Sequence, residues 1–62
     1  MIKSVLRSEK GMVMVFDENG EQLPEYQGQY EEVRENILRD APPGTIFGHV
    51  IIGMKAFLRE QW

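Results

Sequence analysis

The chain has 62 residues and no cysteine, which excludes disulfide bonds and thiolate zinc sites, and its single histidine argues against a metal site built on several histidines. The formal net charge of −3 disfavours general attraction to the phosphate backbone of nucleic acids. With 42% hydrophobic and 27% charged residues, the composition predicts one small globular domain, residues 1–62, close to the size at which a partner chain becomes important for stability.

The N-terminal half predicts a small β-meander. Residues 2–7 alternate as a strand does, and the MVMVF segment at 12–16 is the clearest strand because it is rich in β-branched and aromatic side chains. The DENG segment at 17–20 contains Asn-Gly, the strongest short signal for a β-hairpin. A third short strand at 21–23 would pair back, and Pro24 would end it.

One helix follows, with the sequence QYEEVRENILRDA at 29–41. Acidic residues lie in its first turn and a basic residue in its last, the arrangement that the helix dipole favours, and two prolines stop it after Ala41. Apolar side chains recur at i, i+4, i+7 and i+11 and so share one face: Tyr26, Tyr30, Val33 and Ile37.

After the helix, residues 45–52 predict another strand, and residues 54–62 fit either a strand or a helix. We favour a strand or turn at the start of this last segment, followed by a short helical end. The order β-β-(β)-α-β with a C-terminal tail predicts an α+β fold, a small antiparallel sheet with one helix packed on one face.

The two clearest strands are apolar on both sides, which a sheet with one solvated face should not be. A single helix covers only one side of the sheet. Either the C-terminal segment folds back over the other side, or a second subunit covers it. The alternating positions fall into four groups: Met12, Met14 and Phe16; Val13 and Val15; Ile46, Gly48, Val50 and Ile52; and Phe47, His49 and Ile51.

This excess of apolar surface predicts a small non-catalytic interaction domain that binds itself as a homodimer or binds another protein. We infer no cofactor, no metal and no small-molecule substrate. The predicted interaction face consists of six large apolar residues: Met12, Met14, Phe16, Phe47, Ile51 and Trp62.

An alternative function is nucleic-acid binding. If the similar segments KSVLR and KAFLR were neighbouring strands, four basic residues would surround Phe57 on one face, as in single-strand binding proteins. The acidic balance of the chain weighs against this reading. The four residues are Lys3, Arg7, Lys55 and Arg59.

Catalysis is not predicted. His49 lies between Phe47 and Ile51 on one strand face, with no acid, nucleophile or second ligand near it in the sequence, which favours a structural role. The DENGE segment places its glycine two positions too early for a calcium loop. No nucleophile-elbow or phosphate-loop pattern occurs.

A cytoplasmic protein is predicted, with no membrane association. The N-terminal sequence MIKSVLRSEK has no apolar segment of signal-peptide length. The longest apolar run, at 12–16, is far shorter than the roughly 20 residues that cross a bilayer. The lack of cysteine fits a reducing compartment.

Overall fold

A computed structural model of the protein describes residues 1–50 and 55–62. The predicted strand at 45–52 can therefore be compared with the structure only up to residue 50. Ile51, Ile52 and Met54 lie outside the described residues. Short 3₁₀ turns occur at Pro24–Tyr26 and Arg59–Gln61. The regular elements are β1 (Ile2–Ser8), β2 (Met12–Asp17), β3 (Gly28–Gln29), α1 (Tyr30–Asp40), β4 (Ile46–Val50) and β5 (Lys55–Phe57).

The predicted α+β class is confirmed: the described residues form a five-stranded sheet, and the one helix packs on it. The strand order is β3-β2-β1-β4-β5. The sheet is mixed where an antiparallel one was predicted, because β1 and β4 run parallel at its centre while the other neighbours are antiparallel. The long connection through β2, β3 and α1 allows this parallel pairing.

The predicted reversal after β2 is confirmed. The Asp17 carboxylate accepts hydrogen bonds from the backbone N–H groups of Asn19 and Glu21, at 2.8 and 2.9 Å. Gly20 has a φ of 81°, which L side chains rarely adopt. The predicted third strand is reduced to a single bridge between Phe16 and Gln22, because Pro24 starts a 3₁₀ turn.

The outer strand β3 lies just before the helix, at a position that the sequence did not indicate. It pairs with the start of β2, where Gly28 lies opposite Val13. Gly28 has a φ of 152°, and a Cβ atom there would lie 3.2 Å from the Val33 side chain. A larger residue at this position would therefore strain the backbone and crowd the Val33 side chain on the helix.

The helix α1 is shorter than predicted by one residue at each end. Tyr26 lies outside it, in the first 3₁₀ turn, although its spacing matched the helical face. The Tyr26 hydroxyl instead donates a hydrogen bond to Asp40 Oδ2 at 2.7 Å and so ties that turn to the end of the helix. Arg39 Nε donates to Asp40 Oδ1 at 3.0 Å.

These hydrogen bonds shift the pKa values of Asp40 and Tyr26. The pKa of Asp40 is lowered, chiefly by the hydrogen bond from Arg39 and then by the one from Tyr26. The same bond to Asp40 raises the pKa of Tyr26. A carboxyl group whose pKa is lowered by folding stabilises the folded state above its unfolded pKa, and that contribution disappears as the pH falls through the folded-state value.

We therefore expect the pKa of Asp40 to lie below its ordinary value of 3.8. Arg39→Ala should raise it most and Tyr26→Phe by a smaller amount, because each removes one donor to the carboxylate. The titration of the Asp40 carboxyl carbon, followed by NMR, measures both shifts. Glu32→Gln, on the exposed first turn of the helix, should leave the value unchanged. An Asp40 pKa that stays the same in both variants contradicts this arrangement.

The hydrophobic core lies between the sheet and the helix. Val5 of β1 pairs with Val15 on one side and with Phe47 on the other, so all three point to the helix. A register shift between Ile2 and Ser4 places Ile2 on the same side as Val5, despite their odd spacing. The buried hydrophobic residues of the described chain are Ile2, Val5, Val13, Val15, Ile37, Ala41, Phe47 and Trp62.

The C-terminal segment packs on the helix side of the sheet. Its short strand and terminal 3₁₀ turn match the prediction of an extended start and a helical end. The Trp62 ring lies 5.0 Å from the ring of Tyr30 and 5.2 Å from that of Phe47, between centroids. Arg59 donates hydrogen bonds to the backbone oxygens of Leu38, Ala41 and Pro42 at 3.1, 2.8 and 2.9 Å.

Candidate interaction face

The side of the sheet opposite the helix, which we call the open face, carries mostly apolar side chains together with two serines and a glycine. Its members follow from the strand register, since side chains alternate between the two sides of each strand. They are Ser4, Leu6 and Ser8 of β1, Met12, Met14 and Phe16 of β2, Ile46, Gly48 and Val50 of β4, and Ala56 of β5.

Several large side chains of the open face are accessible to solvent. Ile46 is 54% exposed, Met12 45% and Val50 36%. Leu6, Met14, and Phe16 are half-buried by their neighbours in the sheet. None of the ten open-face positions carries an ionisable side chain. Of the described C-terminal residues, Phe57 and Trp62 pack in the core on the helix side, and Ala56 lies on the open face. The face is thus mostly apolar, its ten positions carry no charge, and the part of the chain that the structure describes leaves it uncovered. The exposed Lys3 lies at its edge, beside Ser4.

The structure divides the predicted interaction residues between the two sides of the sheet. Met12, Met14 and Phe16 lie on the open face. Phe47 and Trp62 do not: they are 2% and 3% exposed and lie in the core against the helix. Including them was wrong, because β1 lies between β2 and β4 and its register places Phe47 on the side of the buried valines. Ile51 lies outside the described residues.

Three large apolar residues of the open face were missed by the sequence prediction: Leu6, Ile46 and Val50. The alternation within β4 had already placed Ile46 and Val50 on one side of their strand. It gave no means of deciding whether that side matched the methionines of β2. Only the pairing of both strands with β1 settles which sides coincide.

The arrangement required for the nucleic-acid alternative does not occur. β4 separates β1 from β5, so the two similar segments are not neighbouring strands. Phe57 packs against the core, and Arg59 is held by backbone oxygens at the end of the helix. Arg7 lies 4.2 Å from the ring centre of Tyr30. Lys3 is exposed near the start of β1, and Lys55 begins β5, two strands away.

Arg7 contributes to a cluster around the main-chain oxygen of Trp62. Its guanidinium donates to that oxygen at 3.4 Å, and the Tyr30 hydroxyl donates to the same atom. Arg34 Nε in turn donates to the Tyr30 hydroxyl at 2.8 Å. Two of the basic side chains near Tyr30 are therefore used to hold the C-terminal segment.

His49 is half-buried on the helix side of β4, with its ring 5.8 Å from that of Phe57. It borders a shallow groove of about 190 Å³ together with Arg7, Lys10 and residues at the start of the helix. The charges around this groove are mixed, since Glu9 and Glu31 also line it. Among the described residues, no three His, Cys, Asp or Glu side chains come together as metal ligands would.

Within the described ranges, no helix is long and apolar enough to cross a membrane. Comparison of the chain with protein-family models, with curated proteins and with solved structures gives no match. The geometry and chemistry of the open face are therefore the basis on which a function is inferred.

Proposed function

We propose that this chain is a small non-catalytic interaction domain that binds protein through the open face, either a second copy of itself or a different protein. The observation that carries this proposal is the exposure of Met12, Ile46 and Val50 on one uncharged side of the sheet. Burial of apolar surface contributes roughly 25 cal/mol per Å². A partner bound to this face would bury its exposed apolar side chains, and that burial would stabilise the complex.

The arrangement of the two sheet faces supports a binding role further. A domain whose sheet has one solvated side normally alternates apolar and polar residues, so that the outer face is polar. Here the outer positions of β2 are two methionines and a phenylalanine. Methionine side chains are flexible and polarizable, and they are common on surfaces that bind other proteins.

We place the domain in the cytoplasm, in keeping with the absence of cysteine from its 62 residues. A non-catalytic role fits the position of the single histidine, whose near neighbours are the Phe57 ring and a groove of mixed charge.

A photo-crosslinking amino acid at position 46 tests the proposed function in an extract of the source cells. We expect an adduct when the crosslinker replaces Ile46 on the open face, with a second copy or with a different protein. The control position is Asn36, which is exposed on the helix, on the other side of the sheet. The proposal fails if position 46 gives no adduct, or if both positions give the same adducts in equal yield.

A further inference from the structure

We infer that the open face binds a second copy of this chain, face to face, about a twofold axis that runs parallel to the strands between β1 and β4. This inference rests on the proposed function and names its partner. Three properties of the face support it: its lack of charge, its width, and the alternation of large and small side chains across its two central strands.

The lack of charge permits two copies to meet. The chain carries a net charge of −3, so most approaches between two copies oppose like charges. The acidic residues lie in the turn before β2, at the end of β2 and just after it, on the first 3₁₀ turn, on the helix and in the C-terminal 3₁₀ turn, whereas the ten open-face positions carry none. A twofold contact through this face brings no like charges into opposition within it.

The width of the face fits another sheet better than a single helix. Four strands spaced at about 4.8 Å make a face roughly 19 Å wide. One helix is only about 10 to 12 Å across with its side chains. On the other side of this sheet, α1 alone does not close the core, and Trp62 of the C-terminal segment packs beside it. A second copy of the sheet, in contrast, matches the face in width and in length.

Large and small side chains alternate across the two central strands. Each register pair of β1 and β4 on the open face joins a small residue to a large one, and the large one changes strand at every step. The pairs are Ser4 with Ile46, Leu6 with Gly48, and Ser8 with Val50.

A twofold axis parallel to these strands places β1 of one copy over β4 of the other, row by row. Every large side chain of the two central strands then lies over a small one: Ile46 faces Ser4 of the second copy, and Leu6 faces its Gly48. An axis perpendicular to the strands would instead place Leu6 on Leu6 and Ile46 on Val50. Since packing at interfaces approaches the density of protein interiors, the parallel axis is the compatible one.

The resulting dimer should be weak. The face measures roughly 19 Å by 17 Å, or about 300 Å² in plan, which is smaller than the roughly 800 Å² per partner in a standard stable interface. We therefore expect a reversible dimer that forms at micromolar concentrations or above.

Two single substitutions and their mixture test the inference. Ser4→Ile opposes two isoleucines across the axis, and Ile46→Ser opposes two serines, so each variant should dimerise about tenfold more weakly than the unmodified chain. A 1:1 mixture restores one large and one small residue at both contacts and should recover the dimer. Sedimentation velocity measures all four samples, and circular dichroism confirms that each variant is folded.

The double variant Ser4→Ile, Ile46→Ser provides a second test within one chain, since it exchanges the large and small residues and should dimerise like the unmodified protein. The inference is wrong if the unmodified chain stays monomeric up to about 1 mM, or if it dimerises and neither the mixture nor the double variant recovers the dimer. A crosslink from position 46 to a different protein, with no self-association, would overturn this inference and leave the proposed function standing.

Discussion

Trp62→Ala is expected to unfold most of the protein at room temperature. Truncation of a fully buried tryptophan or phenylalanine costs about 3–5 kcal/mol. A domain of this size rarely has more than about 3–5 kcal/mol of stability in total. Trp62 is 3% exposed and packs on both Tyr30 and Phe47, so its loss opens the core between the sheet and the helix.

Urea denaturation followed by far-ultraviolet circular dichroism measures this loss. Leu58→Ala serves as the matched control, because Leu58 belongs to the same C-terminal segment and is 63% exposed, and it should change the stability by less than about 0.5 kcal/mol. Trp62→Phe should cost less than Trp62→Ala. It keeps an aromatic ring in the core and removes an indole N–H that has no hydrogen-bond partner among the described residues. Equal unfolding midpoints for Trp62→Ala and the unmodified chain would show that the segment does not close the core.

Val15→Asp and Met14→Asp should give opposite results although they change adjacent residues of β2. Val15 is fully buried between Val5 and the helix, so an aspartate there places an unpaired charge in the core and the domain should not fold. Met14 lies on the open face, and its replacement should alter the stability by about 1 kcal/mol or less, the range of strand preferences.

Urea titrations of both variants measure their free energies of unfolding and so test which side of the sheet is buried. A folded Val15→Asp protein would mean that the helix does not cover the side of the sheet that carries Val15. An unfolded Met14→Asp protein would mean that the open face belongs to the core of the monomer. Either result would contradict the assignment of the two faces.

Local features of the fold were predictable from the sequence because they depend on neighbouring residues. The Asn19-Gly20 reversal, the strand around Val13 and the helix that ends before Pro42 each follow from local conformational preferences. The assignment of Met14 and Val15 to opposite sides follows from strand geometry alone.

The remaining features depend on contacts between distant segments, which local patterns do not encode. Phe47 is a core residue because β1 lies between β2 and β4 and pairs Val5 with Phe47. No local sequence pattern indicates this strand order. The register shift near Ile2 likewise reverses the side to which that residue points. The missed open-face residues Ile46 and Val50 could be identified only once the parallel pairing of β1 with β4 was known.

The most direct test of the claim that two copies meet through the open face is the solution mass by light scattering, measured from about 10 μM to about 1 mM. We expect the mass of the unmodified chain to rise from that of one chain towards that of two, and Met14→Asp to keep the mass of one chain throughout. A single-chain mass for the unmodified protein at every concentration would contradict the claim, as would a Met14→Asp protein that dimerises like the unmodified one.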